Sequence, residues 1–400
     1  MMDTQRLILL LIFSFSLFML FEAWQREQRG PTPVTAEKKD QKSAVDTTPA
    51  PPTKLELPTA PTSAPAQGQE GNLAKSETIR VFTDVMTVDI DTVGASLLRI
   101  ELPQHRSAVD SARNFVLFEK SASKTYIAQS GFIGEGLPFH NSTFRADAKE
   151  YRLADGTLRL EVRLESEGVN GVTAAKVFIF ERGSFQIGIK HELRNTGNAP
   201  LQPYGYYHVV RDGDPPEGDS KMLPTYTGVA VYTDKEKFQK VAFTDIEKGK
   251  PVHARASTDG WIGVVQHYFV AAWIVPGSTP REFYAERLAN NLYRAGVKVP
   301  VGKVEPGAAV TQEVSLYAGP QYQDKLQSIA PGLELTVDYG WLTVIAAPLF
   351  WVLKWLYGWA GNWGIAIIIL TIIIKLIFYP LSAASYKSMA KMRVLAPKLQ

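Results

Sequence analysis

One stretch constrains this chain more than any other. Ile365–Tyr379 reads IAIIILTIIIKLIFY, nearly all β-branched or aliphatic, with Lys375 its one charged residue. A helix on the surface of a water-soluble domain carries its apolar residues on one stripe, so a run apolar all round belongs in lipid or deep in a core. Its flank decides between them. From Tyr339 to Gln400 there are six basic residues and no acidic one, whereas the chain as a whole has 43 Lys+Arg against 40 Asp+Glu, so the remainder is net −3. An apolar run closed by Lys387, Lys391, Arg393 and Lys398 predicts a transmembrane helix over 364–381 with its positive end in the cytoplasm, where 382–400 begins a basic loop.

The residues before that helix are amphipathic. Leu342, Ile345, Leu349, Val352, Leu353 and Leu356 recur at helical spacing, with Pro348 and Lys354 among them. Five of the chain's 8 tryptophans, Trp341, Trp351, Trp355, Trp359 and Trp363, crowd this stretch. Indole rings favour the headgroup level, so they read as an interfacial belt, and 341–358 as a helix lying in the membrane surface. A hairpin in which both segments cross is the competing reading. Gly361-Asn362-Trp363-Gly364 marks the break. A shorter apolar run, Leu7–Phe21, reads with Trp24 as an uncleaved signal anchor over 7–24, because no small-x-small cleavage pattern follows it. Two crossings place residues 1–6 in the cytoplasm and 25–363 outside it, in the periplasm or at its membrane surface in a bacterium.

The exported part has two textures. Residues 25–77, with prolines 31, 33, 49, 51, 52, 58, 61 and 65 and no aromatic side chain, cannot bury enough apolar area to offset ordering entropy, and read as a disordered tether. From about Ile79 the hydrophobic period becomes two. Met86, Val88 and Ile90 alternate with polar neighbours, as do Leu158, Leu160, Val162 and Leu164, and Phe185, Ile187 and Ile189. Asp155-Gly156 and Arg182-Gly183 punctuate as tight turns. Val177-Phe178-Ile179-Phe180 is apolar on both faces, as between two packed sheets. Residues 78–330 are therefore expected to form a mainly β domain, a large antiparallel sandwich of the super-sandwich type. A helix over Pro320–Ile329, with proline in its first turn, closes it. The full fold class is this β domain plus α-helical membrane segments.

Chemistry is sparse in the sandwich. With no cysteine there is no disulfide, thiolate metal site or thiol nucleophile. Histidines 105, 140, 191, 208, 253 and 267 have no His-x-x-x-His spacing and read as surface or core-edge residues. The acidic loop Asp212–Asp219 lacks the calcium-loop spacing. The glycines at 131, 134 and 136 lack the Lys-Ser/Thr of a phosphate loop, and no Gly-x-Ser-x-Gly is present. No catalytic residue, metal or cofactor is expected, and the near-neutral charge argues against a DNA partner. A membrane-anchored periplasmic carbohydrate-binding or sugar-modifying sandwich remains one alternative, since such folds also serve sugar enzymes, and a Sec docking scaffold is another.

Lys375 lies about 16 Å along the helix from Gly364. A lysine near mid-bilayer costs about 2.5–3.5 kcal/mol and either faces a polar cavity or snorkels to the headgroups; the spacing fits both. After it, Lys387, Lys391 and Lys398 share one helical face, which suits anionic lipid, a partner protein or ribosomal RNA.

At these residues the chain resembles a known family. Leu335-Thr336-Val337-Asp338-Tyr339-Gly340-Trp341-Leu342, Pro348-Leu349-Phe350, Gly361-Asn362-Trp363-Gly364, Tyr379-Pro380-Leu381 and Ser388-Met389-Ala390-Lys391-Met392-Arg393 look like the bacterial YidC type of the YidC/Oxa/Alb membrane insertases. The likeness covers anchor, tether, periplasmic domain, surface helix, first core helix and the start of the cytoplasmic loop. It implies insertion and folding of nascent inner-membrane proteins, alone or with the Sec translocon (SecYEG and SecDF), with ribosomes and the signal-recognition targeting machinery delivering clients. It implies a polar groove walled by five core helices, of which the sequence as given reaches the first; autonomous insertase activity is not expected of that helix alone. A positive residue in that helix attracts the client's tail. Lys375 holds this place where arginine is usual, which keeps the charge and loses the bidentate fork.

Overall fold

The computed structural model describes residues 76–134, 136–169, 171–219, 225–337 and 343–395. The anchor at 7–24, nearly all of the tether, Trp341 and Lys398 lie outside the described residues.

Two sheets form the body. The first contains β1 (Thr78–Phe82), β2 (Thr87–Asp91), β3 (Leu97–Arg106), β4 (Asn114–Lys120), β5 (Thr125–Ile133), β7 (Glu150–Arg152), β11 (Tyr204–Asp212), β14 (Ala256–Ser257), β17 (Arg281–Arg287) and β18 (Leu292–Pro300). Their order is β14-β17-β18-β11-β5-β4-β3-β2-β1-β7. The second contains β6 (Phe144–Ala146), β8 (Arg159–Val169), β9 (Val172–Glu181), β10 (Gln186–Asn195), β12 (Thr227–Thr233), β13 (Lys237–Val241), β15 (Trp261–Gln266), β16 (Phe269–Ile274) and β19 (Ala309–Pro320), ordered β13-β12-β15-β16-β19-β10-β9-β8-β6. The fold is the expected mainly β sandwich, antiparallel among the described residues with one exception: β1 pairs with β7 in parallel, Val81 opposite Tyr151.

The alternating pattern sets the register. Val162, Phe178 and Ile189 face one another across β8, β9 and β10, as do Leu160, Phe180 and Ile187, and these rows enter the shared core with Val88, Ile100, Phe118 and Tyr207 of the opposite sheet. The same alternation carries two polar residues inward. Leu164, Lys176 and His191 form the next row, and Lys176 and His191 are buried. Lys176 crosses the sandwich: its Nζ donates to the carbonyl of Gly94 at 2.6 Å, and to the carbonyl and Oγ of Ser130 at 2.8 and 3.2 Å. Three acceptors suit three ammonium donors, which is how a lysine without a carboxylate partner is tolerated there.

Two expectations need correction. Pro320 does not open a helix. It ends β19 opposite Phe269, where a residue without N–H closes a ladder at no cost, and the helix α2 starts only at Gln323 and runs to Ile329. Nor are all the histidines peripheral: His191 and His208 are fully buried, because their strand parity puts them under neighbouring rings. The other short helix, α1 (Phe243–Glu247), lies between β13 and β14.

A 3-10 turn, Leu333–Thr336, follows α2. Trp261 donates its indole N–H to the carbonyl of Pro331 at 3.0 Å, and Gly332 has φ +74° with the Tyr232 ring where a Cβ would be. This segment is thereby pressed onto the second sheet just before the chain enters its helical part, α3 (Thr343–Ala360) and α4 (Trp363–Leu395).

Candidate functional site in the helical hairpin

The turn between α3 and α4 is built by two residues. Gly361 adopts φ +62°, and its N–H bonds the carbonyl of Tyr357 at 2.8 Å. That closes α3 in the left-handed way that favours glycine. Asn362 then accepts from the N–H groups of Gly364 and Ile365 at 2.8 and 3.3 Å. Its side chain thereby caps the start of α4. Tyr357 stacks on Trp363, ring centroids 4.0 Å apart, and Leu356 and Ala366 are the buried positions where the helices meet. Ala366 is small enough to allow close approach.

Outside that seam the hairpin is apolar and uncovered. Trp351 and Trp359 are 69% and 82% exposed, Trp355 and Trp363 about half, and Ile367, Ile368, Ile372, Leu376 and Phe378 are exposed as well. Among the described residues one helical stretch, Trp363–Met389, is long and apolar enough to cross a membrane. The helix does not stop near Leu381. It continues through Pro380 to Leu395, so Lys387, Lys391 and Arg393 stand on the same helix as Lys375.

Lys375 is exposed. It stands about 18 Å along the helix axis from Trp363, at the usual rise per residue. It is not alone. With the helix unbroken, Thr371, Lys375, Tyr379, Ser382 and Tyr386 fall within about eighty degrees of arc, a polar stripe whose opposite face is apolar from Ile365 to Leu381. Thr371 satisfies its hydroxyl on the Ile367 carbonyl at 2.8 Å. Sequence reasoning weighs Lys375 singly. Following the few polar residues at a period of 3.6 past Pro380 finds the stripe. On the other helix the Lys354 ammonium makes an ion pair with Asp324 of α2.

The sandwich gathers a second cluster. Tyr206 lies across Gly131 and bonds both the N–H and Nδ1 of His140 at 2.9 and 2.8 Å. Tyr284 lies across Gly296 and bonds Nδ1 of His208 at 2.9 Å, while His208 Nε2 faces Gln129 at 3.2 Å. Burial, with the nearby Lys176 and Arg294 charges, lowers His140 to about 4 and holds His208 well below its ordinary value. These rings are neutral, His208 with both nitrogens paired and His140 held through Nδ1. Among the described residues no cluster of three or more His, Asp or Glu could hold a metal.

A β-sandwich joined by a short packed segment to an exposed apolar hairpin with a polar stripe defines a membrane-associated protein with a large extramembrane body. Residues 78–352 match the family model of the YidC periplasmic domain, and 355–400 that of the 60Kd inner membrane protein. The membrane protein insertase YidC of Aromatoleum aromaticum is 50% identical over 401 residues, covering 100% of this chain and 72% of that protein. That of Thiobacillus denitrificans is 49% identical over 400 residues, with the same coverage. The chain belongs to the YidC membrane protein insertase family. Solved structures similar to it include a galactose mutarotase related enzyme from Lactobacillus acidophilus, with TM-score 0.39 and 9% identity over 60% of this chain and 97% of that one. Another is a putative aldose 1-epimerase from Escherichia coli K12, with TM-score 0.37 and 10% identity over 61% and 99%. The relatives do not favour the carbohydrate alternative.

Proposed function

We propose that α4 of this chain takes part in inserting client proteins into the bacterial inner membrane by offering a charged stripe, centred on Lys375, to the polar tail of an incoming helix. The carrying observation is the ammonium on an exposed apolar helix, lined up with Thr371, Tyr379, Ser382 and Tyr386. Membership of the insertase family supports the reading.

The energetics need no nucleotide. About twenty apolar client residues at about −0.3 to −0.6 kcal/mol each give about −6 to −12 kcal/mol on insertion. The barrier lies in moving the polar tail across. A positive group in a medium of low dielectric attracts a carboxylate far more strongly than it would in water. In this reading α4 crosses the membrane, Lys387, Lys391, Arg393 and Lys398 face the cytoplasm and the ribosome, the tryptophans of α3 sit among anionic and zwitterionic headgroups, and the sandwich is periplasmic, beside the Sec translocon. The signal-recognition machinery delivers clients on the cytoplasmic side.

In a strain depleted of its own insertase, the full-length protein carrying Lys375→Glu inserts a client with one or two acidic tail residues at least about tenfold less well, and Lys375→Ser about fivefold less, while Lys375→Arg stays within about twofold. A client with an uncharged tail is unaffected. Normal insertion of the acidic client by Lys375→Glu removes the role given to this residue.

A further inference from the structure

We infer that one end of the sandwich, the end at which Tyr268 and Tyr322 sit, rests on the phospholipid headgroups as a second membrane contact beside the hairpin; this builds on the reading of α3 and α4 as membrane segments. Three observations converge on that end. The first is where the sandwich leaves large apolar side chains uncovered. Among the described residues, six large apolar side chains before the hairpin are exposed; Val252 and Leu335 stand apart, and the other four, Val109, Leu158, Tyr268 and Tyr322, at 67%, 74%, 69% and 45% exposure, gather here. They come from separate turns, yet the ladders bring those turns together. The β3–β4 turn ends at the Arg106–Asn114 pair, and the β15–β16 turn lies beside Gln321, whose N–H bonds the carbonyl of Tyr268 at 2.8 Å. The carbonyl of Leu158 accepts from the N–H of Arg182, three residues before Phe185, and Phe185 packs on His105.

The second is a groove of about 600 Å³ at this end, lined by His105, Phe115, Phe269 and Tyr322. Its rings are held in place rather than loose: Phe115 stacks on Phe269 at 3.9 Å, and the Tyr322 hydroxyl meets Nε2 of His105 at 3.0 Å. Tyrosines with an apolar body and a wet tip, next to Arg106 and the Lys325 ammonium over the Tyr322 ring, have the chemistry of the headgroup layer.

The third observation fixes the height. Asp324, two residues after Tyr322, pairs with Lys354 of α3. Val337 lines the same groove, and six peptide steps connect it to the start of α3. Fully extended, those steps span at most about 22 Å. The opposite end of the body is out of reach: β19 runs from Pro320 at the groove to Ala309. At the usual strand rise that is about 37 Å away. The occupant is thus the bilayer that already holds α3, not a separate protein.

The absence of cysteine makes the test clean. Single variants Tyr268→Cys, Val109→Cys, Asn198→Cys at the far end and Ile372→Cys in α4 carry a nitroxide in the full chain, reconstituted in phosphatidylethanolamine and phosphatidylglycerol vesicles. A nickel chelate on a lipid headgroup relaxes labels at 268 and 109 at least about fivefold more than at 198. Equal relaxation at 268, 109 and 198, with the label at 372 still accessible to membrane-dissolved oxygen, overturns the second contact and leaves the membrane reading of α4 intact. Labels at 268 and 109 shielded from both lipid-borne and aqueous relaxants mean that a protein covers this end, and also overturn it. A label at 372 inaccessible to membrane-dissolved oxygen removes the membrane reading itself.

Discussion

Acidifying the protein from pH 7.5 to 4.5 lowers the melting temperature of its sandwich by at least about 10 °C, and raising the pH to 9 increases it. Every strongly shifted group in the core except the tyrosines pushes the same way. His140 is lowered to about 4, and His191 and His208 lie well below their ordinary value, all chiefly by burial. A base with a lowered folded pKa binds its proton more readily when unfolded. Its contribution is complete above about 6.5 and is lost as pH falls toward the folded value, at about 1.4 kcal/mol per pH unit and group. Lys176, lowered by burial to about 7, extends the slope upward. The unfolded chain takes up its proton below about 10.5, so stability still rises from about pH 7 to 10. Glu101 and Asp259, held below the usual carboxylate range by the hydrogen bonds of Arg99 and Ser257, add to the loss at low pH. The buried tyrosines turn the curve over. Burial raises Tyr207 and Tyr284, so their contribution is full below about 10 and is lost above it. Melting followed by far-ultraviolet circular dichroism in detergent should therefore show a maximum near pH 9–10. His191→Leu, which removes a buried ring whose Nε2 has no hydrogen-bond partner, flattens the acid limb. A curve flat between pH 4.5 and 9 would show that these groups are hydrated in solution.

Trp261→Ala costs the sandwich about 3–5 kcal/mol, or about 10 °C in melting temperature. Trp261 is fully buried, lies parallel to Tyr232 with centroids 6.3 Å apart, and holds the carbonyl of Pro331. The loss is larger than a cavity alone because the same ring seats the segment that leads to α3. Amide exchange at Leu333–Val337 should rise with it, while exchange in β5 and β11 of the other sheet follows only the global change. Trp261→Phe restores most of the packing but not the hydrogen bond, and is expected to lose about 1–2 kcal/mol. Equal exchange at Leu333–Val337 in all three proteins would mean that the segment is held by α2 alone.

These cases mark what the amino-acid order can disclose. Alternation around Leu160–Leu164, Phe178–Phe180 and Ile187–Ile189 is enough to specify two-faced strands, because parity is local. Parity even points Lys176 and His191 inward. Their surroundings are another matter: the acceptors of Lys176, Gly94 and Ser130, come from distant parts of the chain, and only the sheet order brings them within reach. The aliphatic run of α4 is plain from composition. Its polar stripe is not, because it depends on the helix persisting through Pro380, and proline alone argues for a stop. Pro320 misleads in the opposite sense, since the residue that suits a first helical turn suits a last ladder position equally well.

The sandwich hands the chain to the hairpin from the middle of a sheet. β19 lies between β16 and β10, locked by a ladder running from Gln186–Tyr317 to Arg194–Ala309, and its last residue precedes the connection to α2. Tension on α3 therefore loads many backbone bonds together in shear instead of peeling them one by one from a rim. A body hung this way resists mechanical pulling from its anchor, whatever drags on the helices beneath it.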